Sequence, residues 1–136
     1  MRRFVVDNSV VMAWCFEDEA EGYADEVLDL LGEGEALVPV VWPLEVANVL
    51  LVGERRGRLG AADSARFLRL LSSLPIRVVS EDFERITGAI LALARTRGLS
   101  SYDASYLDLA MREGLPLATL DEGMRRAATE CAIPLV

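Results

Sequence analysis

Four acids stand at the margins of apolar segments in this sequence. Asp7 closes the run Phe4-Val5-Val6, Glu45 interrupts an apolar stretch from Val40 to Ala47, Asp103 lies three residues after Ser100, and Asp121 comes just after Leu117-Ala118-Thr119. Carboxylates held close together repel and raise one another's pKa, so a gathered set is unfavourable unless a cation sits among them. An all-oxygen donor set suits Mg2+ or Mn2+, which keep part of their water and accept phosphate oxygens. Such an ion polarises a phosphate and activates water for in-line attack. Three of the four acids also fit a plainer role. Asp7 and Asp121 are suited to cap the helices that follow them, and Asp103 has a capping-box-like spacing from Ser100. Acids near helix N-termini also complement the macrodipole. Glu45 is harder to explain as a cap, although a solvent-facing glutamate stays open there. Glu122 adjoins Asp121, and a one-residue shift would exchange their roles.

The residues that are missing narrow the chemistry further. There is no His, and all 14 basic residues are Arg. A histidine general base, a Ser-His-Asp triad and a His-ligated zinc site are excluded. A P-loop is excluded by the missing Lys. Receiver domains and haloacid-dehalogenase-type phosphatases also end an early strand in Asp, but both use a Lys. Carboxylates are the catalytic groups that remain. The net charge of −8 argues against indiscriminate nucleic-acid binding. The charge is uneven, with twelve acids and no base between Phe4 and Glu54, and twelve of the arginines from Arg55 onward. Such a chain can still bind RNA if a divalent cation neutralises its centre. No apolar run reaches the ~18 residues needed to cross a membrane, and the start is too short for a signal peptide. A cytoplasmic protein is expected, with Cys15 and Cys131 reduced and packed.

Positioning these acids requires a particular fold. The 136 residues and 52% hydrophobic content suit one domain, 1–136, with a proper core. Phe4-Val5-Val6 reads as a buried strand, followed by a short helix from Ser9 through Cys15 and a second from about Glu19 to Leu31. Ala36 to Pro39 is a second strand. Pro43 then opens a helix that runs to Arg56. A helix over Asp63–Leu71 and a third strand over Ile76–Val79 come next. A long helix over Asp82–Arg97 follows, with Phe83, Ile86, Ile90, Leu91 and Ala94 on one face, and Gly98 ends it. The last elements are a helix over Ser101–Glu113, a strand over Leu117–Thr119, a helix over Glu122–Thr129 and a fifth strand over Ile133–Leu135. Strands alternating with helices predict a three-layer α/β/α sandwich around a parallel sheet of about five short strands.

In such a sheet, ligands bind beyond the carboxyl ends of the strands. Asp7 and Asp121 lie at strand ends, and Glu45 lies in the first turn of the helix leaving strand two. The helix of Asp103 enters the fourth strand through a tight Gly114-Leu115-Pro116 link, so its N-terminal end returns to the same edge. All four acids are thereby expected at one edge, although they lie up to 114 positions apart.

Four segments carry a family resemblance across essentially the whole chain. They are Val5-Val6-Asp7-Asn8-Ser9, Leu44-Glu45-Val46-Ala47-Asn48-Val49-Leu50, Ser101-Tyr102-Asp103-Ala104-Ser105-Tyr106-Leu107 and Leu117-Ala118-Thr119-Leu120-Asp121. Together they resemble the motifs of PIN-domain ribonucleases, and length and motif set are most similar to the VapC-type toxins of toxin–antitoxin pairs. The resemblance implies a Mg2+- or Mn2+-dependent endoribonuclease with Asp7, Glu45, Asp103 and Asp121 as its catalytic, metal-holding acids. It implies that Ser9 and Thr119 orient those acids. It also implies an RNA substrate, a cognate antitoxin that covers the site, and a homodimer. Two positions depart from the family pattern: Asn8, and Asp108, which is read as a surface acid outside the site.

Several arginines and aromatic residues are further candidates for binding. Arg95 and Arg97 end a helix that turns into Ser101–Asp103, so phosphate contact is one reading and complement of the helix dipole the other. Arg55, Arg56 and Arg58 are carried ~15 Å from Glu45 along their helix and read as surface charges. Trp14 and Trp42 read as core or interface residues. Glu17-Asp18-Glu19 through Glu35 reads as a solvated acidic face or one that meets a basic antitoxin tail. Two rival functions remain: a nuclease on DNA or in RNA processing without a toxin role, and a non-catalytic binding protein that keeps the fold.

Overall fold

The central strand shows first how the fold is built. Phe4, Val5 and Val6 are all fully buried. Successive strand residues point to opposite faces, so burial at three consecutive positions means that both faces of the sheet are covered. The computed structural model describes residues 2–16 and 22–136. The expected start of the second helix near Glu19 and the acids Glu17-Asp18-Glu19 lie outside the described residues.

The described elements are β1 (Arg2–Val6), α1 (Asn8–Cys15), α2 (Gly22–Leu30), β2 (Gly34–Pro39), α3 (Trp42–Arg55), α4 (Ala61–Ser73), β3 (Ile76–Val79), α5 (Phe83–Arg85), a π-helical turn (Ile86–Ile90), α6 (Leu91–Arg97), α7 (Ser101–Glu113), β4 (Leu117–Ala118) and α8 (Glu122–Glu130). The sheet order is β3-β2-β1-β4, and every pairing is parallel. Val5 stands opposite Leu37 on one side and Leu117 on the other. The α/β sandwich expected from the alternation of elements is present. α7 packs on β1 and β2, with α6 and α8 against it, while α1 packs with α2 and α3. Gly98 and Gly114 end α6 and α7 in the left-handed region, at φ of 65° and 63°. That conformation costs glycine nothing, which is why both helices stop where they do.

Three details depart from expectation. The fifth strand is a single bridge between Leu117 and Leu135. Pro134 donates no N–H and cannot extend a ladder there. Thr119 lies outside β4, and its carbonyl accepts Arg125 Nη1 at 2.8 Å instead. The helix expected over Asp82–Arg97 starts after Asp82, its N-cap, and widens into the π turn. A π turn holds more residues per turn, so it shifts the phase of whatever precedes it. Ile90 and Ala94 therefore face inward while Phe83 is 75% exposed, and the single apolar face breaks.

Asp108 also corrects an expectation. It is buried rather than a surface acid. Arg85 binds it through two hydrogen bonds of 2.9 and 2.7 Å, and Arg112 adds a third at 3.0 Å. Glu81 closes the cluster by pairing with Arg112 and, at 3.7 Å, with Arg85. The network fastens α5 and the segment before it to α7. The remaining expectations concern residues away from the acids. Trp42 is buried, and Trp14 Nε1 donates to the Ala24 carbonyl at 2.8 Å. The guanidinium of Arg58 lies 4.1 Å from the centre of the Phe16 ring. Among the described residues no helix is long and apolar enough to cross a membrane.

Candidate active site

Asp7 ends the ladder of β1, where its N–H still donates to Ala118 of β4 at 2.9 Å. The residue is 5% exposed. It stands at the N-cap position of α1, yet its side chain makes no capping hydrogen bond. Its Oδ2 accepts instead from Thr119 Oγ1 at 2.7 Å and from Ser9 Oγ at 2.9 Å. Each hydroxyl is in turn fixed by the loop after β4. Ser9 Oγ accepts the Leu120 N–H at 3.0 Å, and Thr119 Oγ1 accepts the Asp121 N–H at 3.1 Å. A hydroxyl that accepts a backbone donor turns its own proton elsewhere, here toward Asp7. The two side chains thus orient the carboxylate and hold the Asp121 loop with the same atoms.

Glu45 enters through α3, where its N–H donates to the Val41 carbonyl at 3.0 Å. Its Oε1 accepts the phenol of Tyr106 from α7. Asp103 lies in the first turn of α7, and its N–H donates to Ser100 Oγ at 3.0 Å, so the expected cap at Ser100 is real. Asp121 is exposed and caps α8, its Oδ2 accepting the Met124 N–H at 3.3 Å. The cap reading and the cluster reading are therefore both true of Asp121.

The electrostatics show that the four acids share one neighbourhood. Burial pushes the Asp7 carboxyl up; its hydrogen bonds from Thr119, Ser9 and the Asn8 backbone oppose this, and the charge of Asp121 adds to it. Burial likewise raises Glu45, against the opposing bond from Tyr106, and Asp7 and Asp103 raise it further. Asp103 is raised by burial and then by Asp7 and Asp121, with Ser100 opposing. Asp121 rather than Glu122 is thus the fourth acid acting on the others. Tyr106 is fully buried beside this charge, and its phenol is pushed far above its ordinary range, so it stays protonated and donates.

Among the described residues none of the four acids is in an ion pair, whereas Glu35, Asp63, Glu81 and Asp108 all have arginine partners. Nor do any three of them stand close enough together, as placed, to ligate one ion directly. Uncompensated oxygen donors of this kind match a hard cation that keeps some of its water. Of the two arginines considered for phosphate contact, neither bonds to the four acids. Arg97 pairs with Glu130 at 3.5 Å, and Arg95 is exposed without a bond to any of the four acids. Two contributors escaped the sequence reading. Tyr106 stands three residues after Asp103 on the same helix face, a spacing that could have flagged it. Arg125, whose guanidinium holds the Thr119 carbonyl, stands four residues after Asp121.

The family described as "PIN domain" matches residues 4–130. A curated relative, Ribonuclease VapC3 of Pyrobaculum aerophilum, is 29% identical over 119 residues, which span 88% of this chain and 89% of the relative. The solved structure of PAE2754 from Pyrobaculum aerophilum superposes with a TM-score of 0.70 at 25% identity, over 93% of this chain and 84% of that one. VapBC2 from Rickettsia felis, solved bound to a DNA fragment from its promoter, gives 0.67 at 11% identity over 98% of this chain and 97% of that one, a likeness of fold.

Proposed function

Because the chain belongs to the PIN-domain family, we propose that it is a metal-dependent endoribonuclease and the toxin of a VapBC-type toxin–antitoxin pair. The observation that carries this reading is the set of four uncompensated carboxylates at one sheet edge, where burial and then the charges of neighbouring acids, Asp121 among them, raise Asp7, Glu45 and Asp103. In this reading they hold Mg2+ or Mn2+, partly through water. The bound ion supplies charge neutralisation at the scissile phosphodiester and eases deprotonation of the attacking water. The rest is done by the chain. Ser9 and Thr119 aim Asp7, and Tyr106 aims Glu45 by donating to its Oε1. The exposed Asp121 stands at the solvent side of the group, where an RNA backbone arrives. In the same reading the protein works in the cytoplasm, forms a homodimer and is silenced by a cognate antitoxin that covers this edge.

Purified protein is expected to cut single-stranded RNA with Mg2+ or Mn2+ and to stop when the metal is chelated. Asp7→Asn and Asp103→Asn, purified identically, are expected to lose at least a hundredfold in rate, as removal of a charge-stabilising group does elsewhere. Equal cleavage by the parent and both variants would overturn the assignment.

A further inference from the structure

We propose that a cavity beside Asp103 is a nucleobase subsite, in which Tyr102 stacks on the base flanking the bond to be cut. The proposal rests on the ribonuclease reading above and says where that site reads its substrate. The cavity has a volume of about 200 Å3 and lies between the end of β2 and the first turn of α7. Sites for drug-sized ligands run to roughly 300–1,000 Å3, so this one takes a single ring system rather than a whole nucleotide. None of the four acids lines it, but two of them adjoin its lining along the backbone. Val41, in its wall, accepts the N–H of Glu45, and Tyr102, at its mouth, directly precedes Asp103. Ile86 and Ile90 of the π turn supply apolar walls, and π turns recur at functional sites.

Tyr102 is the unusual member. It is 60% exposed, while Tyr106 on the same helix is fully buried. Solvated aromatic rings next to a phosphate-handling site are what unpaired bases stack on, since every base has a π face. Glu81 contributes a different chemistry at the cavity wall. Its carboxylate is already balanced by Arg112 and Arg85, unlike the four acids, so it needs no cation and can accept from an exocyclic amino group. Phosphate is therefore drawn to the uncompensated acids with their ion, and the attached base to the neutral, apolar cavity next to them.

The test uses full-length protein carrying Asp7→Asn, which holds RNA without cutting it, with Mg2+ and short single-stranded RNAs containing one 2-aminopurine. Fluorescence quenching on binding is expected at one position flanking the cleavage point, retained in Tyr102→Phe and lost in Tyr102→Ala. An abasic nucleotide at that position is expected to weaken binding about tenfold in the Asp7→Asn protein and to add nothing once Tyr102 is alanine. Tyr102 is exposed, so a melting curve unchanged by its replacement is expected to accompany these results. Undiminished quenching in Tyr102→Ala, or an unchanged abasic penalty, overturns the subsite while leaving the nuclease reading intact. Weakened capture of a protein partner with RNA binding unaltered also overturns it, by assigning the cavity to a protein interface. Absence of both RNA binding and RNA cleavage by the parent protein in Mg2+ overturns both readings together.

Discussion

Asp7, Glu45, Asp103 and Asp121 stood out in the sequence as candidates because each sits in a short local pattern at a strand end or in a first helical turn. Their partners stood out less. Tyr106 reaches Glu45 across 61 positions and Arg85 reaches Asp108 across 23, and such pairings leave no mark in local spacing. Tyr106 looks like one more buried aromatic until the fold brings α3 to it. Its hydroxyl donates to a carboxylate, and such bonds contribute roughly 1.5–3 kcal/mol when well made. Glu45 is half-buried, so water can replace part of that bond. Tyr106→Phe is expected to cost about 1 kcal/mol in urea unfolding and to lower kcat about tenfold, with KM for RNA little changed. A parental kcat would show that Glu45 needs no such support.

At the scale of elements, most boundaries followed from periodicity and from glycine stops. α7 spans Ser101–Glu113 and β3 spans Ile76–Val79 as expected. The π turn and the early end of β4 were not visible, because the first depends on how α5 is held and the second on a side chain, Arg125, that takes the Thr119 carbonyl. The hold on α5 is the Arg85–Asp108–Arg112 cluster. Removing one partner of a buried pair costs roughly 3–5 kcal/mol, less where the orphaned charge can reach water. The arginine side chains here are 36% and 24% exposed. Asp108→Ala is therefore expected to cost about 2 kcal/mol, seen as a lower denaturation midpoint with unchanged slope. A loss under about 0.5 kcal/mol, the range of ordinary surface substitutions, would mean that packing alone holds α5 in place.

For the whole molecule, a net charge of −8 and an acidic centre set the balance between stability and function. Three of the site's acids have raised pKa values in the folded state. Between its unfolded and its folded pKa, such a group binds more proton when folded, so stability falls as pH rises through that window and the loss is complete above it. Without metal, the site is thus a standing cost at neutral pH that eases on acidification. A cation bound only by the folded state reverses the sign. The most direct measurement is the melting temperature of the parent and of Asp103→Asn at pH 7, each in chelator and in millimolar Mg2+ or Mn2+. The account predicts that Asp103→Asn melts above the parent in chelator, by a margin that shrinks toward pH 4, while metal raises the parent and leaves the variant nearly unchanged. A parent that ignores metal, or a variant that melts below it in chelator and responds equally to the ion, would contradict the four-acid centre.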